Sequence, residues 1–184
     1  EPLSGGGSGE GSGEGSGGGS GGGPDEGSGG SLYGHPVRVP FMVKTVTPSS
    51  AGVSSMTGYT DSENFVIVSN DNFDSWEYHE VSDLNGYANA CSAKDSENIW
   101  VMIQGWGSRD YVTYTHDGGA TWVEVVIPLP VGATSTWVCN IYMHSDGLTG
   151  WAVGEVIGPG YDTEPNWLAV WKTIDGGVTW NVIY

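Results

Sequence analysis

The chain has 184 residues, with 22 acidic side chains against 5 Lys and Arg and a formal net charge of −17. So strong an anion is repelled by nucleic acid and by anionic lipid, which excludes those partners. No apolar run approaches the roughly 20 residues of a membrane-crossing helix, and direct membrane insertion is not expected.

Residues 1–31 are almost only Gly and Ser, with scattered acids such as Glu10, Glu14, Asp25 and Glu26. Such a segment has no apolar surface whose burial would offset the entropy lost on ordering. It reads as a flexible linker. Glycine patterns inside it, such as "GSGEGS", follow no strand and open no helix, so a phosphate cradle fails on context. The chain starts at Glu1 rather than Met, and we expect a processed or trimmed N-terminus. A Gly/Ser/Glu spacer ahead of a compact domain is similar to the tether of a bacterial surface lipoprotein. That likeness implies a lipid-anchored Cys upstream and a secreted, periplasmic or surface-tethered location.

Residues 32–184 suffice for one domain with its own core. Short β-branched and aromatic runs follow each other between Gly, Pro, Asn and Asp, with no helical period. They group into three four-stranded units, near residues 37–82, 86–131 and 135–184. The first holds "FMVKTV", "GVSSMTGY", "NFVIVS" and "WEYHEV". The second holds "ANACSA", "NIWVMIQ", "YVTYT" and "WVEVVI". The third holds "WVCNIYM", "GWAVGEV", "LAVWKT" and "WNVIY". The segment "LYGHPVRVP" adds at most one more strand.

Between the third and fourth strand of each unit stands one eight-residue word. "THDGGATW" supplies Thr115, Asp117, Gly119, Thr121 and Trp122; "TIDGGVTW" supplies Thr173, Asp175, Gly177, Thr179 and Trp180. "SNDNFDSW" keeps Ser69, Asp71, Ser75 and Trp76 but has Phe73 in place of the glycine. Each word predicts a hairpin turn. Asp accepts backbone N–H groups, Gly takes a positive φ, and Trp opens the next strand with a large apolar face. Phe73 calls for strain or another turn shape, so the first turn should be the least regular. The Trp-to-Trp spacings of 46 and 58 residues are near the length of a propeller blade.

The pattern resembles the Asp-box, or BNR repeat, of sialidases, oligoxyloglucan-type endoglucanases, sortilin-like receptors and photosystem II assembly-factor-like propellers. The "GWAVGEV" to "TIDGGVTW" stretch looks most like the last group. The resemblance implies an all-β, propeller-type fold of about three blades, partial or open, since a closed ring needs at least four. Blades of another chain, joined by self-association, would complete such a ring.

In such a unit the loops between second and third strands share one end of the molecule, and loops carry function more often than strands. Here they contain Tyr59, Asp61, Glu63, Trp106, Arg109, Asp110, Tyr161, Asp162, Glu164 and Trp167. Aromatic faces beside carboxylates suit a sugar, a cationic peptide or an ammonium group. The same residues also fit an ordinary polar loop surface. A sialidase clamp takes three arginines, and this chain has only Arg38 and Arg109. No pair of carboxylates is singled out as acid and base by spacing. No nucleophile elbow accompanies the four His residues. "NDNFDS" faintly echoes a calcium loop but lacks its Gly and its closing Glu, so calcium stays as one option and no other cofactor is implied. Cys91 and Cys139 are either a disulfide or two buried free thiols.

The sequence therefore points to a non-catalytic, extracytoplasmic binding or scaffold module whose loops meet a protein or glycan. The alternative is a piece of a sialidase-like or other Asp-box glycoside hydrolase. An assembly factor of the photosystem kind is disfavoured by the acidity.

Overall fold

The computed structural model describes residues 42–48 (backbone only), 52–60, 63–81, 86–107, 109–159 and 166–184. The linker, the "LYGHPVRVP" segment, Arg38, Asp61, Tyr161, Asp162 and Glu164 lie outside them. The described chain is all β. The first sheet is β1 (Met42–Pro48), β2 (Ser54–Tyr59), β3 (Asn64–Ser69) and β4 (Glu77–Val81). The second is β5 (Gly86–Ala93), β6 (Ile99–Gly105), β7 (Tyr111–Thr115) and β8 (Val123–Val126). The third is β9 (Ser135–Met143), β10 (Gly150–Ile157), β11 (Trp167–Thr173) and β12 (Asn181–Val182). Each sheet is an antiparallel meander in sequence order, as runs joined by tight turns require.

The sheets pack in series, and the side-chain period of two decides which residue faces which neighbour. In β6, Ile99, Val101 and Ile103 join Val66, Val68 and Val81 of the first sheet in one core. Their alternates Trp100 and Met102 join Ile141, Met143, Ala152 and Trp171 of the third sheet in the other. Over Ile99–Ile103, β6 thus has no wet face, and it reads as an unbroken apolar run. In β10, by contrast, Gly150, Ala152, Gly154 and Val156 are buried while Val153 and Glu155 are exposed.

A β-bulge recurs at one place in all three sheets. The pairing of first and second strand slips between Val43 and Thr45, between Ala88 and Ala90, and opposite Val153 and Gly154. The extra residues are Lys44, Asn89 and Cys139. Nothing in the residue types marks these sites, because a bulge is a property of the pairing and not of one strand.

The three hairpin turns share one hydrogen-bond set. Thr115 Oγ1 accepts the Gly119 N–H at 3.0 Å, and Asp117 accepts Thr121 N–H at 2.9 Å and Thr121 Oγ1–H at 2.6 Å. Thr173, Asp175, Gly177 and Thr179 repeat it at 3.0, 2.9 and 2.6 Å. Ser69, Asp71, Phe73 and Ser75 do so as well, at 2.8, 2.8 and 2.6 Å. The expectation that the first turn is less regular is therefore corrected. It keeps the shape, with Asn72 at φ 60° and Phe73 at φ 67°, where the other turns have glycines at 68–93°. The strain half of the expectation stands: a bulky residue sits in the left-handed region.

Both cysteines are free. Cys91 is buried between the first and second sheets, its Sγ 3.4 Å from Ser55 Oγ. Cys139 is exposed on the outer side of the third sheet. The two lie on different faces, so neither the disulfide nor the pair of buried thiols is what the fold contains.

Candidate aromatic binding site

Three rings from two sheets meet where the loops after the second strands emerge. Tyr59 ends β2, Tyr87 opens β5 and Trp106 follows β6. Ring centroids are 4.5 Å apart for Tyr59 and Tyr87 and 4.8 Å for Tyr87 and Trp106, both pairs tilted. Tyr87 is 38 % exposed and Trp106 is 68 % exposed, so the row is open to solvent. Offset or tilted contacts of this kind suit the ring quadrupoles. Tyr87 was not among the sequence candidates. It lies at the start of β5, just after the crossing between units, which the topology puts at the same end as those loops; that was the available signal.

Polar side chains fix the spacing of these rings. Asn64, the first residue of β3, accepts the Ala88 N–H at 2.7 Å and donates to the Gly86 carbonyl at 3.1 Å. This clamps the start of β5 to the first sheet and holds Tyr87 beside Tyr59. Asp110 is the counterpart one sheet on. It accepts the Gly105 N–H at 3.2 Å and the Val138 N–H at 2.6 Å, while its own N–H donates to Thr136 Oγ1 at 3.2 Å. Asp110 is 2 % exposed, so its carboxylate faces the interior and is not offered to a ligand. Burial raises its pKa, against the pull of the backbone N–H groups.

The remaining candidates spread out. Arg109 is exposed, with no ion pair among the described residues. Glu63 accepts the Tyr78 hydroxyl at 2.9 Å; burial first, and then this bond, pushes the phenol pKa up. Trp167 lies elsewhere. With Cys139, Val153, Glu155, Asn166 and Leu168 it lines a shallow cavity of about 370 Å³ on the outer side of the third sheet. Both oxygens of Asp71 are engaged by Ser69 and Ser75. Among the described residues no group of three or more His, Cys, Asp or Glu is placed to hold a metal ion.

No protein-family model matches the chain, and no curated protein matches it. Solved structures do. YCF48 from Cyanidioschyzon merolae aligns at a TM-score of 0.47 and 15% identity, over 80% of this chain and 41% of that one. The GH74 xyloglucanase from Xanthomonas campestris aligns at a TM-score of 0.50 and 12% identity, over 77% of this chain and 21% of that one. The chain thus spans less than half of either neighbour's length. At such identities the likeness speaks of the fold alone. With three meandering sheets in series and no closure among the described residues, this chain is an all-β domain of propeller type.

Proposed function

We propose that the chain is a non-catalytic binding module of Asp-box type, acting outside the cytoplasm. Its ligand is a protein or a glycan carried on the row Tyr59–Tyr87–Trp106. The observation behind this reading is that row: contacting aromatic rings from two sheets, exposed at the loop end and held in place by Asn64 and Asp110. The C–H faces of a pyranose pack on such rings, and a cationic side chain is drawn to their faces. The turn bonds made by Asp71, Asp117 and Asp175 support the Asp-box reading and give those carboxylates a structural task. The acidic balance supports a neutral or cationic ligand over nucleic acid.

The test is a titration of the full chain with neutral oligosaccharides and with basic peptides, followed by tryptophan fluorescence and calorimetry. Trp106→Ala should lower affinity by about tenfold or more, as loss of an aromatic anchor does. Its thermal midpoint should stay put, because Trp106 is exposed. Equal affinity of Trp106→Ala and the unaltered chain for an identified ligand removes the assignment.

A second reading, part of a glycoside hydrolase, draws on the fold it shares with the GH74 xyloglucanase. The inward-facing carboxylate of Asp110 speaks against it. Turnover of a chromogenic glycoside, lost on changing Asp162, would favour it.

A further inference from the structure

The aromatic row stands among a particular set of polar groups. The hydrogen-bond acceptors at this end of the first two sheets are taken. Asn64 Oδ1 holds the Ala88 N–H, the two oxygens of Asp110 hold Gly105 and Val138, and Glu63 Oε1 holds the Tyr78 hydroxyl. The donors on the row are free. Neither the Trp106 indole N–H nor the Tyr87 hydroxyl has a hydrogen-bond partner among the described residues. Gln104 is the cross-strand partner of Tyr87, and its amide is unpaired among them as well. An indole N–H can only donate.

The neighbours of Trp106 hold its loop in shape. A Cβ on Gly105 would collide with the Arg109 carbonyl oxygen, and Gly107 has a φ of 138°. Both places call for glycine. Between them stands a Trp that is 68 % exposed. A ring so open to water adds little to a core, and what it offers is contact area for a ligand.

The row also has a length. Its outer rings, Tyr59 and Trp106, are separated by at most the two steps of 4.5 and 4.8 Å taken together. A polyproline II helix advances about 9 Å in one turn of three residues, so its residues i and i+3 match a row of that size. Such a segment makes no internal hydrogen bonds, so its carbonyls are unpaired, and each proline lacks an N–H. It is rich in acceptors, poor in donors and lined with flat apolar rings. That is the complement of free donors set among aromatic faces. A sugar hydroxyl donates as well as accepts, and the side-chain acceptors it would use at this end are already bonded.

Charge narrows the ligand further. In the sequence, the segments that join the strands at this end carry Asp61, Glu63, Asp83, Asp162 and Glu164 against Arg38 and Arg109. With a net charge of −17 on the chain, a cation is drawn here and an anion repelled.

We propose that the row binds an extended peptide rich in proline and carrying Lys or Arg. Prolines i and i+3 lie on the outer rings, and the peptide carbonyls accept the Trp106 N–H and the Tyr87 hydroxyl. This is the ligand class of the binding module already proposed, and it rests on that reading.

The test is calorimetric titration of the full chain with a capped peptide of repeated Pro-Pro-Arg and with a Gly-Gly-Arg peptide of the same length and charge. Maltohexaose and cellohexaose serve as neutral glycans. The proline peptide should bind about tenfold more tightly than the glycine peptide. That ratio should persist as salt rises, since screening weakens both charges alike. Trp106→Ala should cost about tenfold or more in affinity for the proline peptide. Trp106→Phe keeps a ring but removes the donor, and should cost about fivefold, the worth of one hydrogen bond. Both variants should melt with the unaltered chain, because the side chain is exposed. Equal affinity for the two peptides overturns the inference, since charge alone would then hold them. Glycan binding that Trp106→Ala abolishes, with no preference for the proline peptide, overturns it too and leaves the binding row standing. If no probe binds, or none depends on Trp106, the row and its ligand class fall together.

Discussion

Asp117 accepts hydrogen bonds from the Thr121 side chain, the Thr115 side chain and the Thr121 backbone, and these hold its carboxyl at about 2. The unfolded value is near 3.8. A depressed folded value means that the turn's contribution is present above the unfolded pKa and is lost as pH falls toward 2. Asp71 is lowered in the same direction, chiefly by Ser75. Thermal midpoints measured between pH 5 and pH 2 should therefore fall, and Asp117→Asn should flatten that slope while lowering the midpoint at pH 7. A slope unchanged in the variant would deny the turn this role. The eight-residue words made these roles legible, because the donors and the acceptor lie within five residues of each other in the sequence. Phe73 was legible only as a misfit. The bonds come from Ser69, Asp71 and Ser75, so the turn shape survives and the cost falls on φ, which the sequence does not display.

At the scale of the element, Asp110 is a strand-to-strand tie. One carboxylate oxygen takes Gly105 in the loop after β6, and the other takes Val138 in β9. Asp110→Asn presents an NH₂ to one of those two donors, leaving it unpaired in a buried place. The expected cost is about 2 kcal/mol, read from denaturant unfolding; a change within about 0.5 kcal/mol, as at an ordinary surface position, would deny the tie. In the sequence Asp110 was one more loop carboxylate, because its partner Val138 is 28 residues away. Asn64 and Ala88 hide their bond in the same way, 24 residues apart. The strands themselves were plain. "YVTYT" is β7 to the residue, and most of the other runs differ only at their ends. Alternation and turn chemistry are local, whereas the clamps that position Tyr87 beside Tyr59 are not.

For the whole molecule, serial packing of three units was readable from the repeated word and from four apolar runs per unit. The burial of β6 on both sides has a consequence for how the protein comes apart. A sheet with one wet side can shed its neighbour and keep a tolerable surface; this one cannot. Separation at either seam would strand Trp100 and Met102, or Ile99, Val101 and Ile103, in water. Peeling of a single outer layer is thereby penalised, and the centre opens only when everything does. Amide exchange in β6 should track global unfolding across denaturant, while the exposed terminal pair Asn181–Val182 exchanges far sooner. Exchange in β6 through a smaller opening would mean that the outer layers detach one at a time, and that the middle layer tolerates solvent on a side it was never built to show.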